Sequence, residues 1–281
     1  MKAISTQDKY FYDENGYYIA RQVFTPEEVA YYRDYYMALR AEGPKPGDYG
    51  ATTHKDNDPL YKFPRMINMH HWDEVSRNWL LDTRLRDLLT ALSGITPAAV
   101  QTMLYFKPPQ SRGQAVHQDN WYLRAQPGTC IGAWLALDDC DEANGCLQLV
   151  PGSNKWPLLC AIEADTEQSF TSNTVPLPPD TQLAPMIMQA GDVLCFHGSV
   201  VHGSFPNTTT DRFRRALIGH YVEGSVTQLW HGYRPVWRWD GSEVQLEDTP
   251  EGGLCGNWVT KDGQPVIEAT GVFGKVYTTL E

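Results

Sequence analysis

The residues of this chain best suited to chemistry are His117 and Asp119, with Gln118 between them. Side chains on extended backbone alternate with period two, so a histidine and a carboxylate two positions apart point to the same side. Both can then reach one metal ion. A third ligand has to come from further along the chain. The run Phe196-His197-Gly198-Ser199-Val200-Val201-His202-Gly203-Ser204 offers His202, with His197 as a competitor five residues earlier. Two histidines and one carboxylate on one face of a metal, with the other positions open, are the ligand set of non-haem Fe(II) oxygenases. His-x-Asp alone is a weak signal, since it also occurs by chance in polar loops. Its value here comes from what surrounds it.

The elements that must position these residues read as follows. Asn15-Gly16 is a turn signal, and Tyr17 to Ala20 after it predicts a short strand. Thr25-Pro26-Glu27-Glu28 predicts a helix start: a threonine cap, proline in the first turn and a capping-box glutamate. A second helix is expected near Thr83, with Leu85, Leu88, Leu89 and Leu92 as its buried stripe and Gly94 at its end. From Ala99 onward the period changes to two. Strands are expected over Val100 to Phe106, Ile131 to Leu137, Cys146 to Val150, Val193 to Phe196 and Ala216 to Val222, with turn residues between them. Many short strands with helices at the front imply a mainly β barrel or double-sheet jelly roll with flanking helices. Residues 161–185 read as a long polar surface loop and possible lid, and the part beyond residue 223 as loop-rich with an aromatic cluster.

Composition narrows the classes. A chain of 281 residues with 42% hydrophobic and 20% charged residues is an ordinary globular protein, here taken as one domain over 1–281. A net charge of −11 argues against a nucleic-acid partner, which requires a basic footprint. No apolar run is long enough to span a membrane, and the N-terminal stretch lacks a signal-peptide core. The six cysteines form no Cys-x-x-Cys pair, so a structural zinc site is not expected. Reduced thiols and a cytoplasmic location are the simplest expectation.

The motifs in order are Met103 to Pro109, His117-Gln118-Asp119, Gly132-Ala133-Trp134, Asn144 to Leu147 with Val150-Pro151-Gly152-Ser153, then His202-Gly203-Ser204 with Asn207 and Arg214-Arg215-Ala216. This series resembles the phytanoyl-CoA dioxygenase family over about residues 10–222. The resemblance implies a double-stranded β-helix (jelly-roll, cupin-like) fold, with Fe(II), 2-oxoglutarate and O2. It implies His117, Asp119 and His202 as the ligands, His202 over His197 because Gly-Ser and then an arginine follow it. It implies Arg214 as the anchor for the distal carboxylate of 2-oxoglutarate, with Arg215 as the alternative because the spacing from His202 is one residue long. It places Ser204, Met103 and Trp134 in the cosubstrate pocket and Arg65 as a further basic contact.

The reaction implied is oxidative decarboxylation of 2-oxoglutarate to succinate and CO2, coupled to hydroxylation of an unactivated substrate C–H. Asp119 keeps its carboxylate, so no ligand position is vacated for halide and hydroxylation is favoured over halogenation. Asn120, Trp121 and Tyr122 follow the metal motif, and they and His71 are candidate substrate contacts. No basic cluster for the phosphates of a CoA thioester stands out, so a small metabolite or natural-product intermediate is the expected substrate. Residues 223–281, unmatched by the family, are read as a lid or an interface, in a monomer or homodimer. Two readings of other classes compete: a jelly-roll binding protein without catalysis, and a cupin-like metal-dependent hydrolase or isomerase, which would not need Arg214.

Overall fold

The computed structural model describes residues 2–49, 58–250 and 253–272, and the backbone of 276–277. Its main sheet runs, in spatial order, Tyr17–Ala20, Val193–His197, Cys130–Ala136, Ala216–Val222, Ala98–Tyr105, Val236–Trp237 and Glu243–Val244, and Arg65–Ile67 also pairs with Ala98–Tyr105. A smaller sheet has the order Ala184–Pro185, Leu147–Leu149, His202–Ser204 and Gln114–His117. All pairings within these two sheets are antiparallel, as the jelly-roll expectation requires.

Alternation along the central strands shows how the layers stack. In Cys130–Ala136, Ile131, Ala133 and Leu135 join the cluster that contains Leu85, Leu88, Leu89 and Leu92 of the helix Thr83–Ser93. Trp134 and Ala136 point the other way, into a cluster with Leu147 and Leu149 of the smaller sheet. Both faces of these strands are therefore covered, and every residue of Cys130–Ala136 and Ala216–Val222 is buried. Each fully buried leucine contributes roughly 1.5–3 kcal/mol.

The helix Pro26–Ala41 carries the expected capping box between Thr25 and Glu28. A second box, Ser5 with Asp8, opens the helix Thr6–Asn15, which the sequence reading did not identify.

Two expectations are corrected. The tail is not simply loop-rich, because Leu254–Lys261 and Gln264–Val272 form an antiparallel hairpin. Its turn is Asp262-Gly263, both with positive φ (52° and 75°), as a two-residue hairpin turn demands. The thiols are not all reduced either: Cys160 and Cys255 form a disulfide that bridges 95 positions and ties this hairpin to the start of the 161–185 segment. Sequence spacing could not reveal a pair so far apart. Among the described residues no helix is long and apolar enough to cross a membrane.

Candidate metal and cosubstrate site

The two candidate histidines sit directly opposite each other. His117 ends the strand Gln114–His117 and His202 begins His202–Ser204, and the two are cross-strand partners with ring centroids 4.3 Å apart. Asp119 follows in right-handed helical backbone (φ −61°, ψ −35°) as the cap of the one-turn helix Asn120–Leu123. Gln118 points away from them. Its amide donates to the carbonyls of Pro157 (3.1 Å) and Ser199 (2.8 Å), and its oxygen accepts from the Leu159 amide (2.7 Å). The middle residue of the motif thus anchors the loop while its neighbours face the site.

Hydrogen bonds set which ring nitrogens face inward. His117 Nδ1 donates to the Ala115 carbonyl (2.9 Å) and His202 Nδ1 to the Val200 carbonyl (3.0 Å). A carbonyl only accepts, so each Nε2 keeps its lone pair. Asp119 Oδ1 lies 3.4 Å from His117 Nε2 and 3.7 Å from His202 Nε2. The ligand atoms of the three residues all lie within 4.8 Å of one another. Three buried lone-pair atoms converging without a proton between them repel one another, and a cation resolves this. The donor set fits Fe(II).

The electrostatics agree. Burial alone would raise the Asp119 carboxyl, but the neighbouring His202 and His220, the latter through its hydrogen bond, outweigh it and hold the group well below the usual carboxylate range. Burial pushes His202 down to about 4, which keeps its imidazole neutral at physiological pH. His197, the competing ligand, is not in the cluster. Its Nδ1 accepts from the Ser199 amide (3.1 Å).

The triad opens on a narrow pocket also lined by Met103, Tyr105, Trp134, Leu147 and Arg214. Arg214 is 1% exposed; its Nε donates to the Gly145 carbonyl (2.9 Å), while its Nη1 is buried without an acceptor. The adjacent Arg215 is engaged elsewhere, through Nε (2.8 Å) and Nη2 (2.7 Å) to the carboxylate of Asp138. A buried guanidinium with an unused donor beside a metal-ligand set fits the distal carboxylate of 2-oxoglutarate.

Ser204 shares a strand face with His202, and its hydroxyl accepts from the Gln114 amide (3.2 Å) and from Lys107 Nζ (3.1 Å). Lys107 was missed in the sequence reading. It is 3% exposed, and burial, followed by the charge of Arg214, pushes its ammonium group well below the usual lysine range.

A wider chamber of about 520 Å³ adjoins the triad, lined in part by Tyr49, Arg65, Asn68, Tyr105, Tyr122, Thr171, Asn173, Trp230 and Tyr233. Arg65 therefore borders this chamber, not the pocket of Arg214. Its guanidinium lies 4.9 Å from the rings of Tyr49 and Phe170, and its Nη1 donates to the Tyr105 hydroxyl (3.2 Å). Of the candidate substrate contacts, Tyr122 lines the chamber. Asn120 is committed to the backbone of Ala125 through both ends of its amide (2.9 and 3.3 Å), and Trp121 is not among the lining residues. His71 is exposed, 4.1 Å from the ring of His70, and also off the chamber.

The aromatic tail divides. Trp230 and Tyr233 reach the chamber, whereas Trp237 pairs in the main sheet opposite Ala99. Trp239 stacks on Tyr221 at 5.4 Å and donates to the Pro97 carbonyl (2.6 Å). Of the aromatic tail read as a lid or an interface, Trp237 and Trp239 therefore form neither at the chamber: the strand after the chamber wall carries them back to the body of the fold.

Comparison with known proteins places this geometry. A rice (Oryza sativa subsp. japonica) phytanoyl-CoA dioxygenase 1 is 30% identical over 248 residues, covering 76% of this chain and 87% of that protein. The peroxisomal phytanoyl-CoA dioxygenase of Rattus norvegicus is 26% identical, covering 78% and 68%. Among solved structures, the non-heme alpha ketoglutarate dependent carbocyclase SnoK from nogalamycin biosynthesis superposes with a TM-score of 0.64 at 24% identity, covering 82% and 87%. EvdO2 from Micromonospora carbonacea var. aurantiaca, solved with 2-oxoglutarate, superposes with a TM-score of 0.62 at 22% identity, covering 79% and 92%. The family profile for phytanoyl-CoA dioxygenase (PhyH) matches residues 12–216. With that match, and with His117, Asp119 and His202 gathered as its Fe(II) and 2-oxoglutarate chemistry requires, the chain belongs to the phytanoyl-CoA dioxygenase family.

Proposed function

We propose that this protein hydroxylates an unactivated C–H of a small metabolite or natural-product intermediate, releasing succinate and CO2. His117, Asp119 and His202 would hold Fe(II), which would supply the electrons that activate O2 when bound. Arg214 would bind the distal carboxylate of 2-oxoglutarate, with Met103 and Trp134 walling the pocket and Ser204 beside it. Tyr122, Trp230 and Tyr233 would hold the substrate and exclude water from it.

The observation that carries the reading is Arg214. Its buried Nη1 without an acceptor lines the same pocket as the three ligand residues. A cupin-like metal-dependent hydrolase or isomerase would not need such a cation there. Nothing along the chamber requires a CoA thioester. Its described lining holds one cation outside the triad, Arg65, among aromatic rings and amides.

The test is a metabolite screen for stimulated succinate release, run anaerobically and aerobically with Fe(II) and 2-oxoglutarate. Succinate that appears only with O2, Fe(II) and a particular compound supports the reading. Metal-dependent turnover that is indifferent to 2-oxoglutarate would overturn it.

A further inference from the structure

A third histidine stands against the metal-ligand set without belonging to it. His220 Nε2 lies 3.0 Å from Asp119 Oδ2, the oxygen turned away from the two ligand nitrogens, and its Nδ1 lies 3.0 Å from Gln101 Oε1. A carboxylate oxygen accepts, so Nε2 donates this bond. Gln101 in turn donates from Nε2 to Asn68 Oδ1 (3.1 Å), and Gln101 and Asn68 both border the chamber.

The backbone builds this contact. His220 and Gln101 are directly opposite in adjacent strands, and the next pair is Tyr221 with Ala99, so one residue bulges out between them. Bulges near sites re-aim side chains, here at the start of the hydrogen-bonded chain. His220 is 3% exposed, so this bond is shielded from water.

Resting on the iron-dependent reading above, we propose that His220 is a positioning residue that fixes Asp119 as a one-oxygen ligand. Oδ1 faces the nitrogens of His117 and His202 at 3.4 and 3.7 Å, while the His220 N–H occupies Oδ2. A carboxylate free to rotate could offer both oxygens and take a coordination position that cosubstrate and O2 need. The bond from His220 removes that freedom. Gln101 and Asn68 keep the imidazole from turning and carry the chain to the substrate side.

The two amide substitutions separate the two ring nitrogens. His220→Gln places an N–H near the position of Nε2, and His220→Asn near that of Nδ1. Anaerobic titration of the metal-free protein with Fe(II), and with Co(II) followed by its visible absorption, reads the effect without turnover. His220→Asn is expected to weaken binding on the order of 10- to 100-fold, the range for lost outer hydrogen bonds to metal ligands. His220→Gln should stay within about threefold of wild type. Gln101→Leu, which frees the imidazole but keeps it, should weaken binding several-fold. Equal binding by wild type and all three variants overturns the proposal, as do equal losses in His220→Gln and His220→Asn with wild-type near-UV circular dichroism. A wild-type chain that binds neither Fe(II) nor 2-oxoglutarate overturns the functional reading itself, a different result from unchanged variants.

Discussion

The guanidinium of Arg214 lies 5.1 Å from the centre of the Trp134 ring, held there while its Nη1 has no acceptor. The ring shields the cation from water and turns it towards the pocket it shares with His117, Asp119 and His202. Arg214→Ala is expected to weaken 2-oxoglutarate binding on the order of 100-fold while leaving primary-substrate affinity nearly unchanged, because a buried charge pair loses several kcal/mol when one partner goes. Arg215→Ala should instead lower stability through the loss of Asp138's partner and leave 2-oxoglutarate binding intact. Isothermal titration with both variants decides the matter, and the reverse pattern would mean the wrong arginine carries the cosubstrate.

Asp119→Ala removes one of three ligand atoms together with the negative charge. Fe(II)-dependent turnover should vanish and Fe(II) affinity should fall steeply, with melting behaviour close to wild type. Near-normal turnover with Fe(II) would exclude the ligand assignment.

The two halves of the aromatic tail should separate experimentally. Trp230→Ala and Tyr233→Ala, at the chamber, are expected to raise 2-oxoglutarate consumption that is uncoupled from product, with small effects on melting. Trp239→Ala, which loses a stacked ring and a hydrogen bond, should cost about 3 kcal/mol of stability and leave coupling unchanged. Full coupling in both chamber variants would remove the lid role.

Three histidines predict a pH response of the metal-free protein. Burial pushes His70 to about 3 and His197 and His202 to about 4. Between pH 6.5 and 5 the unfolded chain binds protons that the folded chain refuses, so stability falls as pH falls, by on the order of 1 kcal/mol per histidine. Depressed carboxylates such as Asp119 act in the same direction but below about pH 4, outside this window. Urea melts at pH 6.5 and 5 measure the loss, and His197→Gln should shrink it. An unchanged difference in that variant would show that His197 accepts its proton while folded.

Thiol counting tests the crosslink. Denatured without reductant, the chain should titrate four thiols, those of Cys130, Cys140, Cys146 and Cys195, and two more after reduction. Six without reductant would show that Cys160 and Cys255 are not joined.

What could be read in advance follows from the range of each interaction. Alternation and capping are local, so Ala216–Val222 and the box at Thr25 with Glu28 were visible in the chain itself. The Asp262-Gly263 turn was equally local and was overlooked. Lys107 and His220 were not legible, because each acquires its role only when distant strands bring Ser204 and Asp119 to it. The Cys160–Cys255 pairing depends on the same kind of long-range closure. Trp237 and Trp239 show the converse: an aromatic-rich stretch says that rings will be buried, and only the path of the backbone says against what.

Gln118 has one further consequence. Its three hydrogen bonds join the backbone between the two ligands to Pro157, Leu159 and Ser199. The segment that goes on to form the chamber wall at Thr171 and Asn173 departs from Leu159, a point already fastened to the metal loop. Any displacement of that wall would therefore begin beyond the Leu159 bond and leave the mount of His117 and Asp119 in place.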